Sequence, residues 1–139
     1  MSDQHLTTQA NNSSIKILCI EDEFFISELY TRALKKAGYD VTAALNGVDG
    51  LQLAQTDQYD IILLDLMVPD MTGMDILRIL RDEKKTPRLH GKVIITTNLV
   101  QDDDARKEIE SQADGYIIKA DVTPKELVNY LSQIDLTNA

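Results

Sequence analysis

Acidic side chains, hydroxyl groups and a lysine follow four of the short apolar segments of this chain. Glu21 and Asp22 come after the first segment, Asp65 after the third and Lys119 after the fifth, while the fourth runs into Thr96-Thr97-Asn98. If these segments are parallel strands, their carboxyl ends meet at one edge of a sheet, where such folds place their ligands. The sequence therefore predicts a single site that contains carboxylates, a hydroxyl and an amine.

The charges at this predicted site restrict its chemistry. Two carboxylates about 4 Å apart repel by about 4 kcal/mol at an effective dielectric near 20, so clustering Glu21, Asp22 and Asp65 requires protonation or a cation. Oxygen ligands favour a hard ion, and Mg²⁺ fits best because it binds through one or two carboxylates together with phosphate oxygens. Asp65 would attack a phosphorus atom neutralised by the metal, while Lys119 and a threonine hydroxyl contact the other phosphoryl oxygens. The predicted reaction is acyl-phosphate formation with Mg²⁺ as cofactor.

Repeated strand-helix units must position these groups, and the hydropathy pattern predicts five of them. The predicted strands are Lys16–Ile20, Asp40–Ala44, Ile61–Leu64, Val93–Thr96 and Tyr116–Ile118. Their apolar residues do not alternate strictly, as is typical of strands that are covered on both faces. The fold class is therefore α/β, with a doubly wound five-stranded parallel sheet and five helices.

Apolar residues at helical spacing predict the first three helices, and we expect these stripes to pack in the core. The first helix carries the stripe Phe25, Ile26, Leu29, Tyr30, Ala33, Leu34 and Ala37; the second carries Val48, Leu51 and Ala54; the third carries Ile76, Leu77 and Leu80. Gly38 is a plausible C-cap of the first helix, and Asn46 precedes the second.

The last two helices differ in their end signals and their apolar content. The final helix has a capping box made by Thr123 and Glu126, with Pro124 at its first position. The helix near Asp102–Ser111 has a small apolar face that centres on Ile109. We expect this helix to be the least firmly anchored.

Composition excludes several classes of function. The chain has 139 residues and 15.6 kDa, with 14 basic and 23 acidic residues and a formal net charge of -9. We expect one domain, over residues 15–134, between a disordered polar tail at 1–14 and a short tail at 135–139. The negative charge disfavours direct binding to nucleic acid, and no apolar run is long enough for membrane insertion. The polar start and the single cysteine, Cys19, predict a reducing, cytoplasmic location.

Four sequence runs resemble the receiver domain of bacterial two-component response regulators, in particular the stand-alone type that is similar to chemotaxis regulators. The runs are Ile17-Leu18-Cys19-Ile20-Glu21-Asp22-Glu23, Asp65-Leu66-Met67-Val68-Pro69-Asp70-Met71-Thr72-Gly73, Val93-Ile94-Ile95-Thr96-Thr97 and Ala113-Asp114-Gly115-Tyr116-Ile117-Ile118-Lys119. Each run alone is weak, but four in the right order on five strand-helix units are specific. The resemblance implies a flavodoxin-like sheet of order 2-1-3-4-5. It also implies phosphotransfer from a histidine kinase or a histidine phosphotransfer protein to an aspartate.

The resemblance also assigns roles to the acidic residues. It implies that Asp65 is the phosphoacceptor and that Asp22 is a Mg²⁺ ligand. Glu21 would be the second member of the acidic pair, acting through water. Asp65 itself and the backbone carbonyl of Met67 would complete the metal shell.

Three further residues match the catalytic and switch positions of the family. Lys119 matches the lysine that contacts the phosphoryl group. Of the two adjacent threonines we choose Thr97 as the catalytic and switch hydroxyl, because its separation of 22 positions from Lys119 matches the family. Thr96 would then end the strand. Tyr116 matches the aromatic residue that moves with this switch, although simple packing on an edge strand is an alternative for it.

The chain departs from the family pattern at two positions. Asn98 stands where Ala or Gly is usual, and its amide would lie at the entrance to the phosphoryl pocket. Ala120 stands where the family has a proline after a cis peptide bond. A cis bond before a residue other than proline costs roughly 2.5 to 4 kcal/mol, so the loop is either rearranged or strained.

Alternative functions fit the residues less well. A flavin carrier needs a phosphate loop where this chain has acids, and a phosphatase with an aspartyl nucleophile would carry Asp-x-Asp after its first strand. The main rival is a receiver that docks partners without phosphorylation. We expect no enzyme activity beyond self-catalysed phosphotransfer and slow autodephosphorylation. Output is expected through protein contact at the surface of the fourth helix, fifth strand and fifth helix, or through phosphorelay.

Overall fold

The computed structural model describes residues 15–98 and 101–136. The predicted tail at 1–14 and the last part of the predicted C-terminal tail, 137–139, lie outside these ranges. The elements in chain order are β1 (Lys16–Ile20), α1 (Phe24–Lys36), β2 (Asp40–Ala44), α2 (Gly47–Ala54), β3 (Ile61–Asp65), α3 (Gly73–Arg81), β4 (Lys92–Thr97), α4 (Asp103–Gln112), β5 (Gly115–Ile118), a short 3₁₀ turn (Lys119–Asp121) and α5 (Pro124–Ser132).

The five strands form one parallel sheet in the order β2-β1-β3-β4-β5. This confirms the predicted fold class and strand order. The central strand β3 is buried at each of its five residues, which explains why its sequence is continuously apolar rather than alternating. No helix within the described ranges is long and apolar enough to cross a membrane.

Two strands extend further toward the site than the sequence pattern predicts. Strand β3 includes Asp65 and β4 includes Thr97, whereas the predicted strands end at Leu64 and Thr96. The pairing of β3 with β4 continues beyond the apolar run, because the amide of Leu66 donates to the carbonyl of Thr96 at 3.1 Å. Asp65 and Thr97 therefore lie on the regular ends of strands.

Helices cover both faces of the sheet and form two apolar layers. One layer joins α2, α3 and α4 to the sheet through residues such as Ala54, Leu77 and Ile109. The other joins α1 and α5 to the opposite face through residues such as Leu34 and Leu127. Because successive strand residues point to opposite faces, each strand contributes to both layers.

The predicted core stripe is wrong at three positions. Phe25, Leu29 and Val48 are 80%, 52% and 44% exposed. The buried residues of α1 are Ser27, Tyr30 and Leu34, a narrower stripe at helical spacing than the apolar pattern indicates. Periodicity identifies the apolar side of a helix, but the position of the sheet decides which part of that side is covered.

The predicted end signals of α2 and α5 are confirmed, whereas the C-cap of α1 is Ala37 and not Gly38. Gly38 follows the C-cap of α1 with a φ of 102°, a backbone conformation that glycine adopts without the steric cost of a Cβ atom. The side chain of Asn46 accepts the amide of Asp49 at the start of α2. Thr123 and Glu126 form the complete capping box of α5.

Helix α4 has little apolar anchoring, as expected, but polar contacts attach it to α3. Ile109 is its one buried residue. The guanidinium of Arg78 donates to both carboxylate oxygens of Glu108, at 2.6 and 2.9 Å. Arg81 donates to the carbonyl of Gln112 at 2.7 Å, beyond which the chain enters β5. The position of α4 thus depends mainly on exposed polar contacts, which salt and water weaken.

His90 and its two aspartate partners link three segments at the amino-terminal edge of the sheet. His90 Nδ1 lies 2.7 Å from Asp57 Oδ1, and His90 Nε2 lies 3.0 Å from Asp60 Oδ1. Asp60 also accepts the amide of Lys16 at 2.8 Å. Burial lowers the pKa of His90, but the hydrogen bonds to Asp60 and Asp57 outweigh it and raise this pKa above the ordinary value of 6.5.

We predict that His90→Gln destabilises the protein more in acid than in alkali. A raised folded-state pKa adds stability that is complete below the unfolded pKa and is lost as the pH rises through the folded one. The extra loss at about pH 5.5 relative to about pH 8.5 should be of order 1 kcal/mol or less, because the pair is partly exposed. Urea unfolding of parent and variant at both pH values measures it. An equal loss at the two values would contradict the ion-pair interpretation.

Candidate functional site

The carboxyl ends of the strands bring the predicted acidic residues together. Glu21 follows β1, and its backbone amide donates to the carbonyl of Ala44 at 3.0 Å, which fixes this end of the strand. One carboxylate oxygen from each of Glu21, Asp22 and Asp65 lies within 4.8 Å of the others. Glu21 and Asp65 are buried, and Asp22 is more exposed. Asp22 therefore forms the solvent side of the cluster.

Lys119 connects the two buried carboxylates. Its Nζ donates to Glu21 Oε1 at 2.8 Å and to Asp65 Oδ2 at 3.0 Å. The side chains of Glu21 and Asp65 are each 2% exposed and that of Lys119 is 10% exposed. Removing one partner of such a buried pair leaves an uncompensated charge, which typically costs 3 to 5 kcal/mol. The contact thus holds the ends of β1, β3 and β5 together.

Backbone amides orient the remaining carboxylate oxygens. Glu21 Oε2 accepts the amide of Glu23 at 3.1 Å, and Asp65 Oδ1 accepts the amide of Met67 at 3.0 Å. Every oxygen of these two carboxylates therefore has at least one nitrogen partner. A carboxylate oxygen can accept more than one such contact, so the cluster retains capacity for a cation or a phosphoryl group.

The electrostatics of the cluster are visible in three pKa shifts. Burial raises the pKa of Glu21, and the hydrogen bond from Lys119 opposes that rise. Burial lowers the pKa of Lys119, but its hydrogen bonds to Glu21 and Asp65 outweigh this and raise it overall. Burial, followed by the charges of Glu21 and Asp65, raises the pKa of Cys19 to about 12. Lys119 is therefore a permanent cation, and Cys19 is a neutral thiol in a negative field.

The donor set of the cluster fits Mg²⁺. Three carboxylates and one ammonium leave a formal charge of -2, which a divalent cation neutralises. Ligands that are all oxygen favour a hard cation, and the exposure of Asp22 leaves room for the waters that Mg²⁺ retains. The backbone carbonyl of Met67 stays a predicted ligand. The residue Met67 as a whole is 59% exposed.

The predicted switch residues lie on β4 and β5. Thr97 is fully buried, and in the register of the sheet it is opposite Ile118, the residue before Lys119. Tyr116 is partly buried against the core layer that contains Ile109. The guanidinium carbon of Arg106 lies 5.0 Å from the centre of its ring, a cation–π contact from α4. Their switch roles remain predictions, and Arg106 is a neighbour that the sequence analysis missed.

The two departures from the family pattern meet in the structure. Within the described residues all peptide bonds are trans, and the chain after Ile118 forms the 3₁₀ turn Lys119–Asp121. The loop is thus rearranged, which was one of the two alternatives for Ala120. The side chain of Asn98 is exposed, but its Oδ1 accepts the backbone amide of Ala120 at 2.8 Å. Asn98 is therefore bound to the loop that follows Lys119.

Two residues of the loop after β3 have a structural role that the sequence analysis did not assign. Asp70, at a φ of 65°, accepts the amides of Gly47 and Val48 at 2.9 and 3.3 Å and so caps α2. Gly73 begins α3, and a Cβ atom there would lie 2.5 Å from the backbone oxygen of Asp65. The start of α3 therefore packs directly on the backbone of the predicted phosphoacceptor, which requires glycine.

Known proteins share the sequence pattern and the fold of this chain. The family described as "Response regulator receiver domain" matches residues 17–132. The transcriptional regulatory proteins CusR and HprR of Escherichia coli (strain K12) are 39% and 42% identical to this chain over 105 residues, which is 76% of it. The Francisella response regulator 1452 receiver domain has 28% identity and a TM-score of 0.73, over 85% of this chain and 93% of that one.

The chain belongs to the response regulator receiver domain family. Receiver domains are signalling domains of two-component systems and bind Mg²⁺ at an acidic pocket, and the cluster of Glu21, Asp22 and Asp65 is compatible with such a site. The chain spans less than half the length of the curated relatives named above, 44% of CusR and 45% of HprR.

We predict that Mg²⁺ raises the thermal stability of the protein through the acidic cluster. At about ten times the dissociation constant, a cation that binds only the folded state adds roughly 1.4 kcal/mol to the free energy of unfolding. Asp22→Asn should abolish this gain, and Asp104→Asn on the exposed first turn of α4 is the matched control. Calorimetry in Mg²⁺ and in a chelator measures both. An undiminished gain in Asp22→Asn would place the cation elsewhere.

Proposed function

We propose that this receiver accepts a phosphoryl group on Asp65 from a phosphohistidine of a histidine kinase or a histidine phosphotransfer protein. One observation carries the proposal: the Asp65 carboxylate lies at the end of the central strand, hydrogen-bonded to Lys119 and clustered with Glu21 and Asp22. The family supports the same reaction class. The contacts at Asp65 make it the residue best prepared to act as an oxygen nucleophile.

In the proposed step, a carboxylate oxygen of Asp65 attacks the phosphorus atom of the donor. The new bond joins that oxygen to phosphorus, while the P–N bond to the donor imidazole breaks and its electron pair stays on the nitrogen. Mg²⁺, when bound, neutralises charge on the phosphoryl oxygens. Lys119 stabilises the same charge, and it is available near Asp65 because its Nζ already contacts that carboxylate.

The burial of the site supports positioning as the main source of catalysis. Each oxygen of Asp65 is held by a nitrogen, one from Met67 and one from Lys119. The attacking group therefore needs little reorganisation, and positioning of this kind lowers much of the barrier to phosphoryl transfer. In the proposal the Thr97 hydroxyl joins Lys119 at the product acyl phosphate, where it reads the phosphorylation state.

The proposed output is phosphorylation-dependent contact with a downstream protein, or phosphorelay to another histidine protein. The surface for it consists of α4, β5 and α5. Helix α4 supports this assignment because Ile109 is its one buried residue, so a shift of α4 exposes little apolar area. The ring of Tyr116 lies between β5 and Arg106 of α4 and is suited to couple the two elements.

We predict that Asp65 is the sole site of phosphorylation and that labelling needs Mg²⁺. Acetyl phosphate, a small phosphodonor, should add one phosphoryl group to the parent, and Asp65→Asn should remain unlabelled because an amide is not a nucleophile of this kind. Intact-mass analysis with and without a chelator measures this, with Asp114→Asn as the control. Labelling of Asp65→Asn at the rate of the parent would refute the assignment.

We predict that phosphorylation changes the dynamics of the surface formed by α4, β5 and α5. The two states should differ by only a few kcal/mol, so that contacts from the phosphoryl group to Thr97 and Lys119 shift the population. Hydrogen exchange with and without a beryllofluoride mimic measures the change, with α1 as the internal reference. Changes that are confined to α1, over Phe24–Lys36, would contradict this choice of surface.

A further inference from the structure

A side chain links the two loops that carry Thr97 and Lys119. Strands β4 and β5 pair as far as Thr97 and Ile118, and the chain then leaves the sheet in the 3₁₀ turn that begins at Lys119. Asn98 Oδ1 accepts the amide of Ala120 at 2.8 Å, just beyond the last pair of the ladder. The bond therefore continues the connection between the two strands by one step, through a side chain instead of the backbone.

This bond restrains the backbone on the carboxyl-terminal side of Lys119. Ile118 is fixed by the sheet and Ala120 is fixed by Asn98, so Lys119 lies between two restrained neighbours. A lysine side chain has many rotamers and loses much of this freedom when it is ordered. Lys119 is ordered at both of its carboxylate partners, at 2.8 and 3.0 Å. Restraint of its backbone reduces the freedom that remains to be lost when it binds a phosphoryl group.

The position of Asn98 makes this role testable apart from folding. Asn98 is exposed and lies with Lys119 and Ala120 on the wall of a cavity of about 280 Å³ beside α1. An exposed hydrogen bond between neutral groups contributes little to global stability. Its loss should therefore alter the site and leave the core intact.

We propose that Asn98 is a positioning residue that acts through Ala120 to hold Lys119 in place for the phosphoryl group. The inference rests on the proposed function at Asp65. If this inference is right, the acceptor, Asn98 Oδ1, and the donor, the Ala120 N–H, act as one unit. Removing either group should have the same effect, and removing both should cost no more than removing one.

The test compares affinities for beryllofluoride in the presence of Mg²⁺. Asn98→Ala removes the acceptor, and Ala120→Pro removes the donor, because proline has no N–H. Ala120→Gly keeps the N–H and is the matched control. We expect Asn98→Ala, Ala120→Pro and the double variant to bind about three- to tenfold more weakly than the parent, because Lys119 is then less preorganised for the phosphoryl mimic, with Ala120→Gly staying close to the parent.

Three readouts separate this role from a general structural one. The melting temperatures of the variants should stay close to that of the parent. The double variant should lose as much affinity for beryllofluoride as one single variant, rather than the product of the two losses. Amide exchange of Ala120 in the absence of phosphoryl mimic should accelerate in Asn98→Ala by a similar factor, which keeps the test valid if Ala120→Pro does not fold.

The outcomes distinguish the two proposals. Parental affinity in Asn98→Ala, unchanged Ala120 exchange, or multiplying effects in the double variant would overturn the role of Asn98 while Asp65 remains the phosphoacceptor. A parent that binds no beryllofluoride in Mg²⁺ would instead overturn the proposed function, and the role of Asn98 with it.

Discussion

The contact of one ammonium with two buried carboxylates is the constraint on which the site depends. Glu21 and Asp65 are almost fully covered by protein, where an ionised carboxylate without a partner is costly. Lys119 reaches both, so it compensates their charges and joins the ends of three strands. The negative charge that remains, together with the more exposed Asp22, is compatible with a divalent cation at this site. Burial, followed by the charges of Glu21 and Asp65, raises the pKa of the Cys19 thiol beside the site to about 12.

The fold delivers these groups because the sheet is parallel and covered on both faces. Asp65 is the last residue of the buried central strand, so the apolar packing of this strand ends at a carboxylate. The close packing of Gly73 on the backbone of Asp65 and the amide of Met67 on its carboxylate fix the orientation of that last residue. The end of β3 is therefore closely packed. Helix α4, in contrast, is held by the buried Ile109 and by exposed arginine contacts such as that of Arg78 with Glu108. The molecule thus combines a tightly packed end of β3 with a helix that has one buried residue.

The strand order could be predicted from the family resemblance. The sequence itself was sufficient for the acidic cluster and the capping box of α5, because each depends on a local pattern or on the common direction of parallel strands. It was insufficient where a contact joins distant segments. The exposure of Phe25 and Leu29 depends on how α1 sits on the sheet, and the capping of α2 by Asp70 depends on the path of a loop 22 residues away. The direct bond of Lys119 to Glu21 was missed for a similar reason. Charge type indicates that two groups can pair but does not indicate which of several acids is nearest.

The sequence treats Asn98 and Ala120 as two separate departures, whereas one hydrogen bond joins them in the structure. From the sequence, Asn98 is a bulky group beside the phosphoryl pocket, and Ala120 is a missing proline whose loop must be rearranged or strained. In the structure the amide oxygen of one accepts the N–H of the other. Ala120 can donate this hydrogen only because it is not proline, and the trans peptide with its 3₁₀ turn brings that hydrogen to Asn98. Asn98 supplies the acceptor and Ala120 supplies the donor of this bond. The pair is therefore best understood as a single connection between the strand that carries Thr97 and the loop that carries Lys119.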